Sequence, residues 1–426
     1  MADTKSFDWP TRAPPDLYPR GAATRLIESL TDTPVVLVHG PRQCGKTTLA
    51  RVVGEPRGYA YLNFDDDVTR TAASQDPVGF VADLPHHVIL DEVQRAPQIF
   101  TAIKTTVDRE RSPGRFILTG SANVLRLPGL ADSLAGRMEV LRLYPLAQCE
   151  LERRPSRFLD HLFHHGFAIR ASERLGPRLI ERIVAGGFPA ALARTRGYRR
   201  SAWYRDYVEA ILQRDIRDLA RVGAPDALPR LLGLAAAQTS RLLNVAELAA
   251  PFQLSRPTIS GYVALLEDLF LMERLPPWHS NRLKRLVRTP KLHLSDAGVA
   301  TTLLGVDVPA LTADRPLLGQ LVETFVFQEL RRQASWRNEK TTFFHFRDRD
   351  GAEVDIVIER GANELAGVEV KASATVTLAD FRGLRKLREA AGKRFVAGVV
   401  LYDGETSAGF GDGMYAVPIR NLWESP

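Results

Sequence analysis

Apolar residues along the chain fall into two periods. Between residues 21 and 150 the short runs "PVVLVHG", "YAYLNF", "HHVILDEV" and "RFILTGS" have the length of strands, end in polar or glycine residues, and are separated by stretches of helical spacing. Strands alternating with helices predict a parallel sheet covered on both faces. Residues 151–230 carry apolar positions at helical spacing with few strand signals, which predicts a helical module. In "RLLNVAELAAPFQLSRPTISGYVALLEDLFLMERLPP" two short helices flank a turn, with Ser255 as N-cap of the second, so a helix-turn-helix or winged-helix region is expected over 231–290. Beyond it, the helix "LLGQLVETFVFQELRRQA" leads into "TTFFHFRD", "EVDIVIE", "AGVEVKAS", a further helix and "FVAGVVLY", predicting a final α/β domain over 291–426. The expected order is therefore an N-terminal arm (1–20), an α/β domain (21–150), the helical module, the helix-turn-helix region and the last α/β domain.

Composition narrows the class more than the fold. In 426 residues there are two cysteines, Cys44 and Cys149, which supports neither a disulfide framework nor a cysteine zinc cluster. No run of about 18 apolar residues occurs and the polar, Pro-rich start has no signal-peptide core, so the expectation is a soluble, cytoplasmic protein with no membrane partner. A net charge of +7 favours polyanions, with DNA as the first partner to consider.

The chemistry begins at "GPRQCGKT". Gly40, Pro41, Arg42, Gln43, Cys44, Gly45, Lys46 and Thr47 fit the phosphate-binding pattern G-x-x-x-x-G-K-[ST] between a strand and a helix, with Thr48 opening that helix. Backbone N–H groups cradle ATP phosphates, Lys46 meets the β/γ oxygens, and Thr47 offers its hydroxyl to Mg²⁺. The strand "VILDE" ends in Asp91, a second Mg²⁺ ligand, and Glu92, which orients the attacking water. Thr119, Ser121 and Asn123 follow the strand "FILTGS", where a polar group can meet the γ-phosphate or the water; a polar strand exit with caps fits these residues equally well. Arg137 follows a glycine near an expected helix end. It suits an arginine finger reaching a neighbouring subunit, or a helix C-cap.

The set "GPRQCGKTTL", "ILDEVQR", "ILTGSAN" and "SLAGR" resembles the AAA-type ATPases of the AAA_14 family, and "KLHLSDAGVATTLLG", "LLGQLVETFVFQEL" and "FRDRDGAEVDIVIE…GVEVKAS" resemble the DUF4143 region fused to them. The resemblance implies ATP hydrolysis with Lys46, Thr47, Asp91, Glu92 and Arg137 in the roles above. It also implies a ring-like homo-oligomer, with six subunits the expected count.

In the last domain Glu323 lies on a helix, Asp355 on a strand, and Glu369 and Lys371 share one face of the next strand. This pattern is similar to the PD-(D/E)xK nuclease core, in which carboxylates hold Mg²⁺ and a lysine activates water. Three readings stay open: an active nuclease, a nuclease fold kept for binding or assembly, and a plain charge pair. Arg256, Thr258, Ser260 and Tyr262 on the second helix of the helix-turn-helix, followed by Arg282, Lys284, Arg285 and Arg288, form a candidate nucleic-acid surface; a protein-packing unit with a solvated charge run is the alternative. "HLFHHG" (161–166) lacks acids or cysteines at ligand spacing and reads as structural. The leading expectation is a Mg²⁺-dependent ring ATPase acting on DNA, branched DNA included. An ATP-gated nuclease of a defence or toxin-like system and a nucleotide-controlled protein-binding switch are the alternatives.

Overall fold

The computed structural model describes residues 17–121, 124, 134–213, 224, 226–252, 254–280 and 289–424, together with the backbone of 214–219. The chain divides into two compact units, one ending at Leu146 and one beginning at Ala147.

The first unit is built on five parallel strands: β1 (Val35–His39), β2 (Ala60–Asn63), β3 (Val88–Asp91), β4 (Phe116–Gly120) and β5 (Met138–Arg142), in the order β2-β3-β4-β1-β5. Every residue of β1 is buried, because alternate side chains serve two cores. Val35 and Leu37 pack with α5 (Ile99–Arg109) through Ile99 and Ile103, whereas Val36 and Val38 pack with α1 (Ala22–Ser29) and α2 (Lys46–Gly54) through Leu26, Leu49 and Val53. The continuous apolar run of this strand follows from that double burial. Two acid-capped helices, α3 (Asp67–Gln75) and α4 (Pro77–Ala82), lie between β2 and β3, with Asp66 and Asp76 accepting from the amides of Thr69 and Gly79. Around Arg137 the chain leaves helix at Leu134, turns through Gly136 (φ 71°) and passes directly into edge strand β5, a strand the sequence pattern does not predict.

The second unit begins with helices. α6 (Pro177–Ala185), α7 (Gly197–Leu219), α8 (Ala227–Ala237), α9 (Val245–Ala249) and α10 (Arg256–Asp268) precede an antiparallel pair, β7 (Met272–Leu275) with β8 (Lys291–Leu294). Ser255 caps α10 by accepting from the Thr258 amide at 3.2 Å, as its position in the sequence predicts. α11 (Ala297–Leu303) and the long α12 (Arg315–Ser335) follow. α12 is buried on nearly every side, which is why its apolar residues show no single stripe.

Seven strands complete the unit in the order β6-β13-β14-β12-β11-β10-β9: β6 (Arg170–Ala171), β9 (Thr341–Arg347), β10 (Glu353–Arg360), β11 (Glu364–Lys371), β12 (Phe395–Tyr402), β13 (Thr406–Gly409) and β14 (Met414–Pro418). β9, β10 and β11 form an antiparallel meander, and β11, β12 and β14 run parallel. α13 (Arg382–Ala391) lays Leu384 and Leu387 over this sheet beside Trp278 and Phe381. Asp296 ties the helices to the rest: its carboxylate caps α11 at Gly298 N (2.9 Å), accepts from Gly187 N (2.9 Å) and pairs with Arg332 of α12 (2.9 Å). Among the described residues, no helix is long and apolar enough to cross a membrane.

Candidate functional sites

The turn after β1 has the form a phosphate cradle requires. A Cβ on Gly40 would lie 2.1 Å from the Leu143 carbonyl oxygen, so only glycine passes there. Gln43 (φ 58°) and Gly45 (φ 100°) are left-handed, which reverses the chain and aims successive amides inward before α2 begins at Lys46. Arg20 fixes the loop from outside by donating to the carbonyls of Cys44 (2.7 Å) and Tyr144 (2.6 Å). Lys46 is buried and its Nζ donates to the Pro41 carbonyl at 2.9 Å, so the ammonium sits over the loop. Thr48 faces solvent, and Arg42 is half-buried.

The ends of β3 and β4 meet this loop. Thr47 Oγ1 lies 3.0 Å from both carboxylate oxygens of Asp91, bringing the two expected Mg²⁺ ligands onto one point. Asp91 also accepts from Tyr61 (2.8 Å) and from Thr119, a buried residue whose hydroxyl in turn accepts from the Glu92 amide (3.2 Å). Glu92 has a left-handed backbone (φ 56°), a conformation that costs energy in a non-glycine residue and is held here by its neighbours. Gln94 donates to its carboxylate, as does Ser121 at 3.1 Å. Beside the loop, burial and the nearby Arg142 and Lys46 hold the His39 imidazole down to about 3, so it stays neutral across the physiological range. Tyr61, His39 and Arg20 carry no motif of their own, and only the chain's return to this point identifies them.

Arg137 is engaged within its own unit, donating bidentately to Asp108 of α5 at 2.5 and 2.9 Å. Asn123 lies outside the described residues, as do Arg282, Lys284, Arg285 and Arg288. On α10, Arg256 and Ser260 are exposed and the Thr258 hydroxyl is bonded to that of Ser255 at 2.8 Å. Tyr262, expected on the same surface, turns inward: it is buried and accepts from the Ala224 amide at 3.1 Å. In the histidine run, His161 Nδ1 faces the nearby Gly166 carbonyl and His164 Nε2 accepts from Arg360 of β10, 196 positions away in sequence.

The C-terminal acids come together, but around a residue that the sequence pattern does not single out. Lys291, at the start of β8, donates to Glu323 of α12 at 2.8 Å and to Asp355 of β10 at 3.0 Å. Asp355 accepts from the Val370 amide of β11 at 2.9 Å, and Lys371 donates to Glu369 at 2.8 Å. Burial, reinforced by the charge of Asp355, pushes the Glu323 and Glu369 carboxyls up to about 8. Burial acts the same way on Asp355, but Lys291 and the Val370 amide outweigh it and hold that carboxyl below its ordinary value. Burial, then the Lys291 charge, keeps His293 neutral and lowers His345 to about 4. Among the described residues, no group of three or more His, Cys, Asp or Glu side chains is arranged to hold a metal ion. Glu323, Asp355 and Glu369 are brought together as the sequence expects, with the Lys291 ammonium between the first two.

Comparison with known proteins gives three family matches: the AAA domain AAA_14 over residues 32–152, the domain of unknown function DUF8612 over 176–310, and the domain of unknown function DUF4143 over 318–422. The uncharacterized protein Rv2008c of Mycobacterium tuberculosis is 31% identical over 406 residues, covering 95% of this chain and 84% of its own length. Among solved structures, the Walker-type ATPase PABY2304 of Pyrococcus abyssi aligns at a TM-score of 0.43 and 15% identity, over 70% of this chain and 99% of that one. The RuvB Holliday junction branch migration motor of Thermotoga maritima aligns at 0.28 and 16%, over 60% and 89%.

Proposed function

We propose, from the premise that the chain belongs to the family joining an AAA_14 ATPase domain to a DUF4143 domain, that it is a Mg²⁺-dependent ATP hydrolase that assembles as a ring and spends the hydrolysis on DNA, branched DNA included. The observation that carries this reading is the meeting of Thr47 and Asp91 beside the glycine turn, with Glu92 tied to Asp91 through Thr119. The loop amides from Gly40 to Thr47 bind the phosphates, and Lys46 turns from the Pro41 carbonyl to the β/γ oxygens. Thr47 and Asp91 would hold Mg²⁺, which would supply positive charge against that building on the γ-phosphoryl group. Glu92 orients the attacking water. Thr119 fixes the geometry by holding the Asp91 carboxylate and the Glu92 amide at once. Arg137 exchanges Asp108 for the nucleotide of a neighbouring subunit.

The DNA part of the reading rests on the +7 charge, on the exposed start of α10, and on the basic segment 282–288 between β7 and β8, together read as a winged helix within 231–290. The test is steady-state ATP hydrolysis by the purified protein, alone and with single-stranded, duplex and four-way-junction DNA, with Lys46→Ala as the blank. Stimulation by one DNA form supports the motor and names its substrate. A rate indifferent to every DNA form rejects the motor in favour of a nucleotide-controlled protein-binding switch.

A further inference from the structure

The acid cluster of the second unit contains a cation of its own. Lys291 reaches it from β8, a strand whose neighbours Leu292 and Leu294 are fully buried, and the lysine is itself only 5% exposed. Its ammonium bonds Glu323 and Asp355, residues 32 and 64 positions away in sequence and carried by different elements. Mg²⁺ takes oxygens at about 2.0–2.1 Å and Ca²⁺ at about 2.3–2.6 Å. An ammonium already bridging these two carboxylates at 2.8 and 3.0 Å occupies the volume either ion needs. The third acid, Glu369, is engaged on one oxygen by Lys371.

Two atoms record what the cluster lacks. Glu369 Oε2 and His293 Nε2 are buried without a hydrogen-bond partner, the latter 3.9 Å from Glu323 Oε1 on a fully buried ring. Three carboxylates and an imidazole are a donor set for a divalent ion, yet the centre between two of the acids is filled by the lysine.

We infer that Lys291 is a built-in replacement for the divalent metal of this nuclease-like cluster, so that the C-terminal domain works without a metal ion, as a binding or assembly module with no hydrolytic step. The position of Lys291 on a strand, with its side chain enclosed on all sides, makes the ammonium a permanent part of the fold. The charge it supplies is the charge a metal would supply, and the acids are retained because they solvate it. The inference is independent of the ATPase reading of the first unit.

The test counts Mn²⁺ bound by the full-length, nucleotide-free protein, using the electron paramagnetic resonance of the free ion. Wild type and Glu369→Gln are expected to bind the same number of ions, since none resides in the cluster. Lys291→Met, which frees the oxygens of Glu323 and Asp355 and removes one positive charge, is expected to bind one Mn²⁺ more than wild type. That ion should be lost again in Lys291→Met/Glu369→Gln. A wild-type ion that Glu369→Gln removes overturns the inference, and so does a folded Lys291→Met with no added ion. Should Lys291→Met fail to fold, the wild-type and Glu369→Gln comparison decides alone. A metal-dependent nick in plasmid DNA made by wild type and absent in Glu369→Gln is equally fatal.

Discussion

Glu92 shows how single residues set the site. A carboxylate on an ordinary strand end would swing in solvent, but this one has a left-handed backbone, an amide bonded to Thr119 and a side chain bonded to Gln94 and Ser121. Glu92→Gln keeps these hydrogen bonds nearly intact while removing the charge proposed to polarise water. ATP affinity by equilibrium titration should stay within a few-fold of wild type, and turnover should fall by about 10²–10⁴-fold; a matching loss of affinity would show that the residue binds rather than activates. At Gly40 the effect is steric. Gly40→Ala forces a methyl group against the Leu143 carbonyl, with an expected loss of roughly 1–3 kcal/mol in stability and weaker nucleotide binding, read by thermal melting with and without ATP. The phosphate loop was legible because its chemistry needs eight adjacent backbone positions, which a sequence displays directly. Lys291 was not, because its partners come from two distant elements and a lysine heading "KLHL" has the look of a strand entering from solvent.

At the scale of elements, β10, β11 and α12 meet so that unlike charges compensate imperfectly, and this leaves a pH signature. The Glu369 carboxyl moves from 4.5 to about 8 on burial beside Asp355. A carboxyl raised in this way favours the fold while protonated, so its contribution is complete below about 4.5 and is lost as the pH climbs through about 8. Glu369→Gln stays neutral throughout and escapes that loss. Its melting temperature relative to wild type should therefore rise between pH 5 and pH 9, and a flat difference over that range would place the charge of Glu369 in an environment that already welcomes it. The N-cap of α10 is a simpler case: Ser255→Ala removes the acceptor for the Thr258 amide and should cost about 1 kcal/mol in chemical denaturation. That cap, like the alternating strands β9 to β11, was legible in the sequence because it depends on neighbours only three positions apart. β5 was missed because "MEVLRL" follows the helix-like "LADSLAGR" and, as an edge strand with mostly half-buried residues, lacks the continuous apolar run of β1.

For the whole molecule the decisive question is whether one subunit completes the site of another. Arg137 is attached to Asp108 by a bidentate pair at the solvent-exposed surface of its own unit, and the hydrogen bond from Arg137 holds the Asp108 carboxyl below its ordinary range. Exposed pairs of this kind are screened by water and exchange partners readily. A γ-phosphoryl group developing charge in a drier interface is a stronger competitor for the guanidinium than a solvated carboxylate, and a finger of this kind contributes about 10³-fold or more to turnover. The arrangement makes a prediction that a site complete within one chain cannot satisfy. Arg137→Ala and Lys46→Ala proteins should each be inactive alone, since one lacks the finger and the other the nucleotide grip. Mixed, they form interfaces in which an intact phosphate loop from the first variant faces an intact Arg137 from the second. ATP hydrolysis should then reappear at a fraction of the wild-type rate that follows the mixing ratio and peaks near equal amounts. If the mixture stays as inactive as its components while gel filtration shows the subunits exchanging, Arg137 serves its own subunit and its pairing with Asp108 is the structural end of its role.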